Sequence, residues 1–172
     1  MKRESVEQIN SKLVISQAIA GDSAKIYPHM EEVRRWLRER DLDQWTEPFA
    51  PTWIENKIAL GQYFVAYYEG ELAATFRLMW ADPDYWGEDD APALYLHTLA
   101  VNSTFSGKGV GTQILGWAEN YARQHDKPLL RLDTTADNPF LVSFYEKAGF
   151  SHMGFTTISR RRIVLLEKKV SP

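Results

Sequence analysis

The spacing of hydrophobic positions changes along this chain, and each change marks an element. Leu13-Val14-Ile15 is an apolar run closed off by Gly21-Asp22, which predicts a first strand. Ile26, Met30, Val33 and Leu37 then recur at helical spacing with Arg and Glu between them, and Pro28 must sit near the start of that helix or kink it. Trp53, Ile54, Ile58 and Leu60 predict a shorter helix, opened by Pro51 and closed by Gly61. Tyr63 to Tyr68 and Leu72 to Met79 flank Glu69-Gly70 and read as a β-hairpin.

Asp82 to Pro92 reads as an acidic loop, followed by a strand from Leu94 to Val101. A third helix carries Val110, Ile114, Leu115, Ala118, Tyr121 and Ala122 on one stripe. Leu129 to Thr134 is a fifth strand. Asn138 then caps a fourth helix with Pro139 at its first position and Gly149 beyond its end. Phe150 to Ile158 and Ile163 to Lys169 are the closing strands. The order β-α-α-β-β-β-α-β-α-β-β predicts an α/β fold with a mixed sheet. With no repeat, low-complexity tract or linker, residues 1–172 are expected to form a single domain.

Composition narrows the function classes. Apolar residues make up 44% of the 172, enough for a substantial core. A net charge of −3 argues against nucleic acid, which needs a basic face. The chain has no cysteine, so disulfides, thiol nucleophiles and Cys-ligated zinc are excluded. Met1-Lys2-Arg3-Glu4 is followed by no apolar signal-peptide core, and no stretch approaches the roughly 18 apolar residues of a membrane span. A cytoplasmic protein with no membrane partner is expected.

The chemistry starts at Ser106-Gly107-Lys108-Gly109-Val110-Gly111-Thr112, between the fourth strand and the third helix. Glycines at alternate positions strip side chains from a turn, and the helix behind it adds unpaired amides and the positive end of its dipole. Together they make a cradle for phosphate or pyrophosphate. A dinucleotide fold would space its glycines as G-x-G-x-x-G, and a nucleotide P-loop would follow Lys108 with Ser or Thr; neither pattern is present. The bland alternative is a turn that only packs a helix tightly against a strand.

Leu99-Ala100-Val101 followed by Ser106 to Gly111 resembles the acyl-CoA motif of the GNAT superfamily of N-acetyltransferases, written Gln/Arg-x-x-Gly-x-Gly/Ala. Downstream, Asn138 and Phe144-Tyr145-Glu146-Lys147-Ala148-Gly149-Phe150 resemble that family's Asn…Tyr-Glu-x-x-Gly-Phe segment, and the order of elements is similar from Leu13 to Lys169. Ser106 stands where the family usually has Gln or Arg; its hydroxyl still donates one hydrogen bond.

The resemblance implies a mostly antiparallel sheet flanked by helices, and transfer of acetyl from acetyl-CoA to a primary amine. It further implies that Ser106 to Thr112 and Asn138 hold the cofactor. A bulge within Leu99, Ala100 and Val101 would offer a backbone amide to the thioester oxygen, and Tyr145 would face the sulfur as general acid. Tyr145 also shares a helical face with Leu141, Phe144 and Ala148, as a core aromatic would. Members of such families are often dimers, so a homodimer is expected. A non-catalytic acyl-CoA sensor would keep the glycine turn and need neither Tyr145 nor a base.

His97 is the candidate base, two residues before Leu99 and so on the same strand face by alternation. The alternative is a half-buried histidine bonded to a neighbour. His29, His125 and His152 have no companion ligand in the sequence, so no metal site is expected. Trp80, Trp86, Glu88, Asp89 and Asp90 crowd the loop before the His97 strand. Carboxylates and indole faces suit a small cationic acceptor such as a polyamine, aminosugar or amino-acid derivative; a peptide N-terminus is the alternative. Arg160-Arg161-Arg162 reads as a solvated turn.

Overall fold

The computed structural model describes residues 7–8, 12–42, 44–88 and 90–170. The chain divides into two compact units, Met1–Leu78 with Thr98–Ile114, and Met79–His97 with Leu115–Pro172.

The first unit opens with β1 (Glu7–Gln8), β2 (Leu13–Gln17), α1 (Ser23–Arg38) and α2 (Pro51–Ala59), followed by β3 (Tyr63–Tyr68) and β4 (Glu71–Met79). β1 pairs with β2, β2 with β3 and β3 with β4, all antiparallel. The β3–β4 hairpin turns at Glu69 and Gly70, whose φ of 51° and 88° match the right-handed twist of the strands. Ile26, Met30, Val33 and Leu37 of α1 pack with Ile54 and Ile58 of α2 against Tyr63, Val65 and Ala100. The two helices therefore bury the stripes that their spacing predicts. Pro28 lies inside α1, past its first turn.

The second unit holds α3 (Pro83–Trp86) and the first part of β5 (Ala93–Val101). Most of α4 (Val110–Gln124), then β6 (Leu129–Thr135), α5 (Pro139–Lys147), β7 (Ser151–Ile158) and β8 (Arg161–Lys169) complete it. β5 runs parallel to β6 from Ala93↔Leu129 to Leu96↔Leu132. β6 pairs antiparallel with β8, and β8 with β7. The strand order is β1-β2-β3-β4-β5-β6-β8-β7, which is the mixed, mostly antiparallel α/β sheet expected.

Three local features differ from the sequence reading. β1 adds a strand beside β2. Part of the acidic loop is helical, because Pro83 sits at the first position of α3 and the Trp86 amide donates to Asp82 O at 2.9 Å. The basic triplet is mostly strand. Ser159 and Arg160 make the turn at φ 48° and 67°, while Arg161 and Arg162 open β8, with Arg162 stacked 3.7 Å over Phe155.

Candidate functional site

In the first unit the glycine turn is a backbone device. Gly107 and Gly109 have φ of +76° and +70°, the left-handed region where a Cβ is strained. Gly111 differs from its partners: it lies in the first turn of α4, so only two of the three glycines are needed for conformation. The Ser106 amide donates to Ser103 O at 3.0 Å and the Lys108 amide to Phe105 O at 3.2 Å, so both serve the preceding turn. Amides available to an anion are therefore those of Gly107, Gly109 and the first turn of α4, at Val110, Gly111 and Thr112.

A Cβ built on Gly107 meets nothing within 4 Å, and one on Gly109 meets only Gln113 Nε2 at 3.8 Å. The space in front of the turn is thus not filled by the protein, as a site for the cofactor's phosphates requires. Lys108 lays its ammonium over Phe105 (4.9 Å) and Tyr68 (5.3 Å).

Upstream, Thr98 has φ 54°, a genuine outlier for a β-branched residue. The irregularity expected within Leu99, Ala100 and Val101 is thus centred one residue earlier. It also breaks the simple alternation from His97 to Leu99 that the sequence suggests. Ala100 is buried, and its carbonyl accepts from His29 Nε2 at 3.0 Å. His29, on α1, is itself buried; desolvation lowers its pKa below the usual histidine value, despite that bond. It therefore rests as a neutral donor that ties α1 to the backbone of β5.

In the second unit the site is made of side chains. His97 Nε2 lies 2.7 Å from Asp82 Oδ2, and Nδ1 lies 3.2 Å from Asp133 Oδ1. All three side chains are nearly buried, at 10%, 4% and 12% exposure for His97, Asp82 and Asp133. Asp82 is held by the start of α3, Asp133 by β6, and the Tyr85 ring stands edge-on to the imidazole at 5.2 Å. These are the three acid and imidazole groups whose ligand-type atoms lie within 4.8 Å of one another among the described residues. The two carboxylates flank opposite ring nitrogens: Asp82 makes a hydrogen bond to Nε2, while Asp133 lies at ion-pair distance from Nδ1.

Tyr145 is buried on α5, between Phe144 and Phe150 at 5.3 and 5.9 Å. Burial, and secondarily the charge of Asp133, push its phenol well above the ordinary tyrosine value. It is a proton holder at every physiological pH. Asn138 caps α5 through Oδ1, which accepts from the Leu141 amide at 3.1 Å.

The acidic loop is arranged differently from the sequence reading. Trp86 lies against Arg131 (4.3 Å) and Tyr95 (6.1 Å), and Trp80 stacks on Tyr121 (6.1 Å) with Lys127 at 5.8 Å. Trp86 is thus engaged by the protein's own Arg131 and Tyr95, whereas Trp80 stays 49% exposed. Glu88 and Asp90 are exposed; Asp89 lies outside the described residues. His152 sits on β7 and bonds Glu146 at 2.8 Å, and His125 bonds the Tyr121 carbonyl at 2.7 Å. Sequence reasoning missed Asp82, Asp133 and His29 as members of these clusters.

The comparisons with known proteins give the family. Residues 30–150 match the acetyltransferase (GNAT) family, and the chain belongs to it. An uncharacterized N-acetyltransferase of Bacillus subtilis, YesJ, is 34% identical over 145 residues, covering 80% of this chain and 81% of YesJ. The S-(2-succino)cysteine N-acetyltransferase of the same organism is 28% identical over 105 residues, covering 59% of this chain and 61% of the relative. A GNAT-family acetyltransferase structure from Listeria monocytogenes superposes with a TM-score of 0.77 at 28% identity, covering 98% of this chain and 99% of the other. The protein is an acetyl-CoA-dependent acyltransferase, which closes the dinucleotide, P-loop and sensor readings. No helix among the described residues is long and apolar enough to cross a membrane.

Proposed function

We propose that the two units act as one domain that moves acetyl from acetyl-CoA to the primary amine of a small cationic metabolite, by direct attack in a ternary complex. One observation carries the choice of acceptor: a nearly buried imidazole flanked by two nearly buried carboxylates at 2.7 and 3.2 Å. Such a group draws in an ammonium and can take its proton. The relative named for S-(2-succino)cysteine likewise acts on a small molecule.

Acetyl-CoA supplies a thioester whose carbonyl carbon bonds to the amine nitrogen as its C–S bond breaks. Gly107, Gly109, Val110, Gly111 and Thr112 hold the phosphates through their amides, helped by the Ser106 hydroxyl and Lys108, while Asn138 supports the cofactor from the cap of α5. Leu99, Ala100 and Val101 supply backbone amides for the carbonyl oxygen and the arm of the cofactor. His97 removes one proton from the acceptor ammonium before attack. Tyr145 donates its phenolic proton toward the sulfur and recovers one from the nitrogen after attack, so one proton per turnover leaves through His97. Glu88 and Asp90 steer the cation from a distance, with Trp80 and Trp86 bracing the loop that carries them. The enzyme works in the cytoplasm, as a homodimer.

The test is a panel of spermidine, glucosamine, lysine amide and a serine-initiated peptide, read by thiol release from acetyl-CoA. Turnover of one of the first three above the peptide is expected. Preference for the peptide, or for a neutral amine, would sink the small-cation reading.

A further inference from the structure

The two nitrogens of His97 are not equivalent. The Nε2–Asp82 contact, at 2.7 Å, has the length of a charge-assisted hydrogen bond, whereas the Nδ1–Asp133 contact is longer, at 3.2 Å. Asp82 is well placed to hold the ring still. Its carbonyl accepts the Trp86 amide of α3, and its side chain is only 4% exposed. Tyr85, from the same short helix, closes one side of the imidazole at 5.2 Å. Among the described residues, the charged and titratable groups placed beside the ring include Asp82 and Tyr85 around α3 and Asp133 on β6, with Tyr145 of α5 within the field of Asp133.

We propose that Asp82 is the positioning residue of the reaction's base: it fixes the Nε2–H tautomer of His97, leaving Nδ1 beside Asp133 to take the acceptor's proton. This rests on His97 being the base. Asp133 then has two roles in sequence. Its charge draws the ammonium toward Nδ1, and after transfer it stabilises the imidazolium that forms. The step balances as one N–H bond broken on the ammonium and one formed on Nδ1, with the electron pair left on the amine nitrogen. An orienting carboxylate on one nitrogen and a reacting proton on the other is the division of labour in a Ser-His-Asp triad. Here a second carboxylate waits on the reacting side.

The experiment needs no acceptor for its first reading. In 15N-histidine-labelled protein at pH 8, a two-bond 1H–15N spectrum should show His97, assigned by its loss in His97→Gln, as the Nε2–H tautomer. A proton on Nδ1, or double protonation persisting to pH 9, overturns the proposal.

In Asp82→Asn, kcat with the fastest panel amine should fall about tenfold or more while the KM for acetyl-CoA stays within about twofold. The acid limb of kcat/KM should move to lower pH, because one charge favouring the imidazolium is gone. Asp82→Glu should recover part of the rate. An unchanged kcat and pH profile in Asp82→Asn overturns the proposal. So does activity lost to EDTA and restored by zinc, since it would make the cluster a metal site. Should no panel amine be acetylated, the proposed function fails while the tautomer remains decided by the spectrum alone.

Discussion

The glycine turn and the His97 cluster solve opposite problems by opposite means. In the reaction proposed above the turn would face a large, fixed anion, and what it offers is backbone: two left-handed glycines and the amides at the start of α4. The cluster, to which that proposal gives the proton transfer, is built of side chains from three places, the entry to α3, β5 and β6. A backbone device tolerates changes in side-chain identity but not the addition of a Cβ. A side-chain device tolerates neither a lost carboxylate nor a changed ring. Ser106 in place of the family's usual Gln or Arg fits that contrast. Its amide is already used by the preceding turn, so binding rests on its neighbours.

The contrast breaks most sharply at His97. His97→Gln should lower kcat about a hundredfold, the usual scale of a lost general base, with acetyl-CoA affinity unchanged by calorimetry. A loss confined to acetyl-CoA affinity would move His97 from chemistry to binding. Gly109→Ala should do the reverse. At φ +70° an alanine is strained by about 1–2 kcal/mol, and its methyl group would enter space that the protein itself fills only with Gln113 Nε2 at 3.8 Å. The dissociation constant for acetyl-CoA should rise at least about tenfold, or ~1.4 kcal/mol, with kcat at saturation nearly intact. Calorimetry with unchanged affinity would show that the turn is only a packing device.

That difference in construction also decides what could be read from the chain. Gly107 and Gly109 are consecutive in pattern and followed by a helical stripe, so the backbone device and its position before α4 are local and legible. So is the hairpin at Glu69-Gly70, whose turn chemistry is contained in two residues. Asp82, His97 and Asp133 lie 15 and 36 residues apart, and only the strands bring them together. No local pattern distinguishes Asp82 from its acidic neighbours; what selects it is Pro83, which starts α3 and fixes the direction of the residue before it. The surroundings of Trp80 and Trp86 were not legible for the same reason, since the cations beside them, Lys127 and Arg131, come from distant elements. The positive φ at Thr98 could not be read from the sequence, because strand alternation carries no mark of where the backbone departs from it.

The acidic loop gives a smaller test. Glu88 and Asp90 are exposed and act, if at all, through a screened field, while Asp82 and Asp133 act at contact. Changing Glu88→Gln, Asp89→Asn and Asp90→Asn together should raise the amine KM by no more than about twofold at physiological salt. The effect should vanish as salt is raised. A tenfold rise that persists in high salt would restore the loop as the substrate reader and demote the buried carboxylates.

The smallest effect on activity is expected at His29, which supports the backbone half of the comparison rather than reacting. Its folded-state pKa is lowered by burial, so the unfolded chain binds the proton more readily. Stability from this group is therefore full above the ordinary histidine value and is lost as pH falls below it toward the folded-state value. Thermal unfolding should show a melting temperature that drops between pH 7 and pH 5. The share of that slope from His29 can be no steeper than about 1.4 kcal/mol per pH unit, the limit for one proton. His29→Gln keeps an N–H donor for the Ala100 carbonyl but cannot titrate, so its slope should be flatter while kcat at pH 8 is unchanged. An equal slope in the two proteins would mean that the carboxylates alone set the acid sensitivity. A collapse of kcat at pH 8 would instead place His29 within the chemistry and blur the line between the two devices.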